Sequence, residues 1–214
     1  MAESQNQVSK LGLRLLILSW WTPKYIIRKE LENISNRTST ALEDLVSKYA
    51  DKRVVVVNRK QESSKSIEQK RAAMARTHAK LVEILEAEVG HEGAIKLGRE
   101  ALFAIGQDTG RQTRSKLGVN DTQRDLTRAA KILYRVLGIE FHLDWHGESN
   151  ATVIIDRCAL AEQYSKLTCE VLSATDEGVL NGLQPNVMMK FKEYMTSGCK
   201  NCKADLAFAK MGAN

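Results

Sequence analysis

All four cysteines of this 214-residue chain, Cys158, Cys169, Cys199 and Cys202, lie beyond residue 157. Cys199 and Cys202 have CxxC spacing after Gly198, which lets two sulfurs reach one metal from a tight loop. A complete site needs further ligands, and Cys158 and Cys169 are the candidates. On one unbroken helix these two would sit roughly 16 Å apart at about 1.5 Å per residue. Thiolates on one zinc lie within about 4 Å of each other. Cys169, Cys199 and Cys202 therefore form the expected nucleus. Cys158 joins them if the helix is broken, and is otherwise a separate thiol able to act as a nucleophile. Thiolates accept zinc or an iron–sulfur cluster, and the spacing leaves both open. A thioredoxin-type pair is disfavoured, because there the pair opens a helix after a strand, whereas here a strand follows. Buried, inert thiols are the plain alternative.

A second constellation is Ile139-Glu140-Phe141-His142-Leu143-Asp144-Trp145-His146, which alternates strictly. Glu140, His142, Asp144 and His146 share one face of a strand. They could bind a metal or exchange protons with a ligand, His142 and His146 foremost, and the solvated face of an antiparallel strand would look the same. Arg111, Arg114 and Lys116 follow Gly106 and Gly110. Three residues separate these glycines and no Lys-Ser or Lys-Thr follows, so a nucleotide-binding P-loop is excluded. Arg111 and Arg114 remain candidates to clamp a substrate carboxylate.

Hydrophobic content of 43% and charged content of 27% suit a globular protein. The net charge of +6 permits an anionic partner. The basic stretch from Lys52 to Lys80 lacks interleaved aromatics, so nucleic acid is disfavoured. The polar start lacks a basic leader. Leu11 to Ile27 is the most apolar stretch, but Arg14 and Pro23-Lys24 interrupt it, so no transmembrane segment is expected. It reads as a core-docking or dimer-forming helix, with an interfacial anchor through Trp20 and Trp21 as the alternative. The expected location is cytoplasmic, where thiols stay reduced.

These groups need elements to hold them. With only Pro23 and Pro185 as prolines, long helices are free to form. The pattern predicts helices over 26–50, over 66–89 with Ser66 as cap and Gly90 as stop, over 91–105, and over 123–137 between Asp121 or Thr122 and Gly138. Val54 to Val57 is a strand or an apolar turn. Gly106 to Val119 reads as a glycine- and arginine-rich loop. Residues 139–146 and 152–155 form a hairpin. Helix resumes from Ala159 towards Leu172 and again over Pro185–Met195, before a final strand through Ala204, Leu206 and Phe208. The class is α+β, a small antiparallel sheet against helices. Residues 1–65 form a helical extension for docking or oligomerisation, and residues 66–214 the small-molecule-binding domain.

Asp156-Arg157-Cys158-Ala159-Leu160-Ala161-Glu162, Leu167-Thr168-Cys169, Gly182-Leu183-Gln184-Pro185-Asn186 and Met195-Thr196-Ser197-Gly198, followed by Cys202, resemble the L-2-amino-thiazoline-4-carboxylic acid hydrolase family over about residues 95–208. That family is similar in turn to 4-vinyl reductase-like domains, which share their fold with TRAPP vesicle-tethering subunits. The resemblance implies an apolar ligand pocket among helices and an antiparallel sheet, and a hydrolase that opens a cyclic thiazoline. It also implies a cysteine-held metal beside the pocket, with Cys169 and Cys202 matching the first and last ligands of the sensor domains. The intervening Glu-x-x-Cys is absent, residues 191–194 being Phe-Lys-Glu-Tyr, and Cys199 is additional. This departure points to an all-cysteine set.

Two functions follow as expectations. One is an enzyme on a small cyclic carboxylate, with Cys158 or Cys169 as nucleophile or ligand, His142 or His146 as acid–base group and Arg111 or Arg114 as clamp. The other is a non-catalytic ligand sensor or an accessory subunit, a homodimer or part of a larger complex, with a structural zinc or iron–sulfur centre.

Overall fold

A computed structural model describes residues 12–50, 66–147 and 149–208. Val54–Val57 lies outside them. Residues 12–20 form α1. Then follow α2 (Lys24–Tyr49), α3 (Ile67–Leu117), α4 (Gln123–Leu137), β1 (Ile139–Trp145), β2 (Asn150–Cys158), α5 (Lys166–Leu183), β3 (Val187–Glu193) and β4 (Cys202–Phe208). The four strands make one antiparallel sheet in the order β1-β2-β4-β3, so the α+β class holds. Among the described residues no helix is long and apolar enough to cross a membrane.

Local chemistry sets the boundaries. Ser66 Oγ accepts from Gln69 N–H while Gln69 answers the Ser66 N–H, a reciprocal cap. Thr122 caps α4, and Gly138 ends it at φ 74°, a conformation that glycine adopts without cost. The chain then enters β1 directly. The hairpin register pairs His142 with Ile154 and Asp144 with Thr152.

Three expectations are corrected. Gly90, at φ 76° and ψ 170°, breaks the helical backbone of α3 where the stop was expected, but the segment after it runs on past residue 105 to Leu117. Gly106 and Gly110 are therefore helical, not a loop; both are buried. A Cβ on Gly106 would lie 2.1 Å from Thr175 O, and one on Gly110 2.1 Å from Val179 O. In the other direction, Gly178 and Gly182 would strike Phe103 O and Gln107 O at 2.2 and 2.1 Å. The glycines let α3 and α5 meet backbone to backbone, running in the same direction. The region after Ala159 is not helical until Lys166; a single 3₁₀ turn, Ala161–Gln163, intervenes. Finally, Pro185–Met195 holds β3 instead of a helix. Val187, Met189 and Phe191 are buried and alternate with exposed Met188, Lys190 and Lys192, so pairing with β4 overrides the helix preference of Met and Lys.

Two apolar layers result. Leu42, Val46, Leu81, Leu85, Leu102 and Val171 join α2, α3 and α5. Leu126, Ile132, Val153, Leu183, Phe191 and Leu206 join α4 and α5 to the sheet. Between them the packing leaves an interior chamber.

Candidate functional site

The chamber is built on one face of α5. Ser165 caps this helix by accepting from Thr168 N–H. Cys169, Leu172, Ser173 and Asp176 recur at three- and four-residue steps, so they share a face, and all four line a cavity of ≈ 90 Å³. The end of β2 brings Cys158 to it, the start of β4 brings Cys202, and the turn before β4 brings Tyr194. The interruption before Lys166 is what allows Cys158 and Cys169 to converge. Met195 N–H donates to Cys202 Sγ at 3.2 Å.

His78 closes the chamber from α3 and is 2% exposed. Its Nε2 lies 2.8 Å from Thr38 Oγ1 and its Nδ1 2.8 Å from Tyr164 OH. Thr38 Oγ1 donates to Ile34 O at 2.8 Å. That direction makes Nε2 the donor to Thr38.

A second cavity of ≈ 80 Å³ adjoins the first and is lined by apolar side chains including Leu126, Leu133, Phe141, Val179 and Met189. Ile34, Thr38, Leu137, Thr175 and Asp176 line both, so they form the shared wall. Asp176 is surrounded by protein atoms, keeps some accessible area and lines both cavities. No hydrogen bond to its carboxyl is made by the described residues. Thr175 Oγ1 beside it is also buried without a partner. Burial, reinforced by the neighbouring Glu177, pushes the Asp176 carboxyl up to about 7.

The thiols are pushed the same way. Burial is the main cause for Cys158, raised to about 11, and for Cys169, raised to about 12. Cys202 is raised by burial and by Cys199 and Asp176, against the opposing Met195 N–H bond. Neutral thiols are the stable form here.

The expected residues are thus partly brought together. Cys158, Cys169 and Cys202 share the cavity; Cys199 is not among its lining residues. Among the described residues, no group of three His, Cys, Asp or Glu stands close enough to share one metal ion. His142 and His146 lie on the exposed face of the sheet. His142 Nδ1 is 2.7 Å from Asp156 Oδ2, and His146 Nε2 is 2.9 Å from Thr152 Oγ1. Arg114 donates to Leu183 O at 2.6 Å and pairs with Asp121 at 2.7 Å. Neither Arg111 nor Arg114 lines the chamber. The residues that sequence reasoning passed over are Asp176, Thr175 and His78. The helical spacing of Asp176 from Cys169 was the available signal.

An open outer cleft of ≈ 1050 Å³ is lined by Trp20 and by cations including Arg71, Lys131 and Arg157. Much of its charge is engaged: Arg71 donates to Val136 O and Arg135 O, and Arg157 pairs with Glu140. It holds no thiol and no buried acid.

Comparison with known proteins agrees with this architecture. One solved structure of similar fold is a trafficking protein particle complex subunit 3 from Naegleria fowleri, covalently bound to palmitic acid. It matches with a TM-score of 0.53 and 14% identity over 67% of this chain and 97% of that one. A weaker likeness, with a TM-score of 0.47 and 13% identity over 67% of this chain and 76% of that one, is to the phenol-responsive sensory domain of the transcription activator PoxR with phenol. No curated protein matches the sequence. The family described as L-2-amino-thiazoline-4-carboxylic acid hydrolase matches residues 69–205, a span holding α3 to β3 and most of β4 with every chamber cysteine, and the chain belongs to that family.

Proposed function

We propose that this protein is a small-molecule hydrolase whose reaction takes place in the interior chamber, with Asp176 as the acid–base group. The observation that carries this is a buried carboxyl without a protein partner, on a wall common to two cavities. A carboxyl near 7 is half ionised at neutral pH, the best condition for both accepting and returning a proton. As carboxylate, Asp176 takes one proton from water while the water oxygen bonds to an electrophilic ring carbon. The same proton passes to the ring nitrogen or sulfur as the carbon–nitrogen or carbon–sulfur bond breaks. One water is consumed and Asp176 is restored.

This assignment is preferred to attack by cysteine for a quantitative reason. A thiol near 11 is ionised to about one part in ten thousand at pH 7, and the thiolate is the nucleophile. Cys158 and Cys169 then shape the cavity and hold no resting charge. Turnover of a panel of thiazoline and lactam rings tests this. Asp176→Asn should lose on the order of 100-fold or more in kcat, while Cys158→Ser and Cys169→Ser keep most of it. Full activity in Asp176→Asn, or its abolition in Cys158→Ser, would overturn the assignment.

A second reading is favoured by the thiols themselves. The Naegleria subunit carries palmitic acid covalently, and here Cys158 and Cys169 present protonated sulfurs to an apolar interior. A holding function would show as an acyl mass on the purified protein, released by hydroxylamine and absent from Cys169→Ser or Cys158→Ser. A zinc ion or iron–sulfur cluster would require the sulfurs to close on one point; stoichiometric zinc or iron in anaerobically purified protein, lost in Cys202→Ser, would restore that site. Membership of a homodimer or larger complex is tested by size measurement with and without residues 1–27.

A further inference from the structure

Apolar side chains left in water are concentrated in one short stretch. Of the eight large hydrophobics exposed among the described residues, five lie between residues 13 and 25: Leu13, Ile17, Trp20, Trp21 and Tyr25, each more than half exposed. Leu13, Ile17 and Trp20 fall at four- and three-residue steps along α1, so they form one ridge. Trp21 and Tyr25 continue it across the corner into α2. The opposite side of α1 is already used. Leu15 is 0% exposed, and Leu18 is buried with it in the layer that joins α4 and α5 to the sheet. Arg135 of α4 holds the end of the helix, donating to Leu18 O at 3.0 Å, Ser19 O at 2.9 Å and Thr22 Oγ1 at 3.1 Å. The ridge therefore cannot turn inward without giving up the core contacts of Leu15 and Leu18.

The charge around the ridge is of one sign. Residues 12–29 include Arg14, Lys24, Arg28 and Lys29 and no acid; the first carboxylate is Glu30. All four cations are exposed, and Tyr25 shares a face of α2 with Arg28 and Lys29. Trp20 also lines the outer cleft with Arg124 and Lys131, two exposed cations of α4 that no described residue pairs. The cleft's acids are Glu68 and Glu140, and Glu140 is held by Arg157. A second copy of this chain seated ridge on ridge would set these cations against their own kind, which opposes association. An anionic lipid surface complements both features. Trp and Tyr rings settle at the headgroup boundary, where one end is apolar and the other wet, and each Lys or Arg near such a surface adds attraction. We propose that α1 and the start of α2 form a peripheral docking surface for anionic phospholipid membranes. The ridge enters the headgroup–acyl boundary and the flanking cations meet lipid phosphates. Among the described residues no helix is long and apolar enough to cross the bilayer, so these helices lie in its surface.

Co-sedimentation of the full chain with vesicles tests this, using phosphatidylcholine alone and phosphatidylcholine with about 30% phosphatidylserine. Partitioning should be at least about tenfold stronger on the anionic vesicles, and should fall by a similar factor between roughly 0.05 M and 0.5 M salt. Trp20→Ser with Trp21→Ser, and separately Arg28→Glu with Lys29→Glu, should each weaken it by about tenfold or more. The melting temperature should stay at the wild-type value in both, since all four side chains are exposed. In Trp145→Phe, which leaves Trp20 and Trp21 as the reporters, indole emission should shift to the blue on anionic vesicles. Equal partitioning on both vesicles, none on either, or unchanged partitioning in either double variant would overturn the proposal. So would a dimer in sedimentation velocity that the Trp20→Ser, Trp21→Ser protein no longer forms, because a second copy would then cover the ridge.

Discussion

The two faces of α5 are opposite solutions to packing. The face towards α3 has no space: Gly98, Gly106 and Gly110 meet Val171, Thr175, Val179 and Leu183 so closely that any Cβ would overlap backbone or the Val171 side chain. The face towards the sheet leaves two cavities and leaves the Asp176 carboxyl without a hydrogen bond from the described residues. The first face supplies the rigidity that the second requires. A buried acid without partners costs stability, and it persists only on an element held firmly from the other side.

The largest effect should come from breaching the tight face. Gly178→Ala places a Cβ about where Phe103 O stands, 2.2 Å away. The obstacle is backbone, so rotation of a side chain offers no relief. The expected cost is about 3–5 kcal/mol in urea denaturation. Gly106→Ala should cost a similar amount, and the pair less than the sum, because either one already separates the helices. A cost below about 1 kcal/mol for Gly178→Ala would mean that the seam is not tight.

That seam also shows what the sequence withheld. Gly106-x-x-x-Gly110 and Gly178-x-x-x-Gly182 are plain in the chain, but a glycine reads as a breaker until a partner helix supplies the reason for its small size. The caps at Ser66 and Thr122, the stop at Gly138 and the hairpin from Ile139 were legible because each is local chemistry. Cysteine clustering was legible as chemistry but not as geometry, since the break before Lys166 decides which sulfurs meet. Asp176 was hidden by Glu177. Two acids in a row resemble a solvated helix face, and only the tertiary packing takes both largely out of water.

On the open face, removing the acid should stabilise the protein, contrary to the usual result of altering a buried polar group. Burial raises Asp176 from an ordinary carboxylate value of 3.8 to about 7. A raised value means stability that is full below the unfolded pKa and is lost as pH climbs through the folded one. The loss therefore falls between about pH 4 and pH 7, and amounts to about 2–4 kcal/mol by linkage. Asp176→Asn should flatten this part of the profile and melt higher than wild type at pH 8. A lower melting temperature at pH 8 would show that the carboxylate has a partner.

The seam's edge carries an intermediate effect. Arg99 on α3 donates to Glu170 O at 2.7 Å, to Ser173 Oγ at 3.0 Å and to Glu177 Oε2 at 2.7 Å. Glu177 Oε1 is already buried without a partner. Arg99→Ala should cost about 1–2 kcal/mol. Because Glu177 raises its neighbour, the Asp176 transition should move further up in pH when Arg99 no longer balances that charge. A melting series from pH 5 to 9 reads both effects in one experiment.

The smallest effect is expected where a titratable pair stands in water. His142 and Asp156 are 2.7 Å apart, with side chains 55% and 46% exposed. At that exposure solvent screens the attraction and the net contribution is small. His142→Ala should change stability by less than about 0.5 kcal/mol and leave ring turnover unaltered. The contrast with Asp176 is the informative part. Both are ionisable groups on elements bordering the same core, and both look equally capable in the sequence. They differ in which side of the sheet faces water. Loss of turnover in His142→Ala would move the chemistry to the sheet's outer face and leave the unpartnered acid on α5 as a structural oddity.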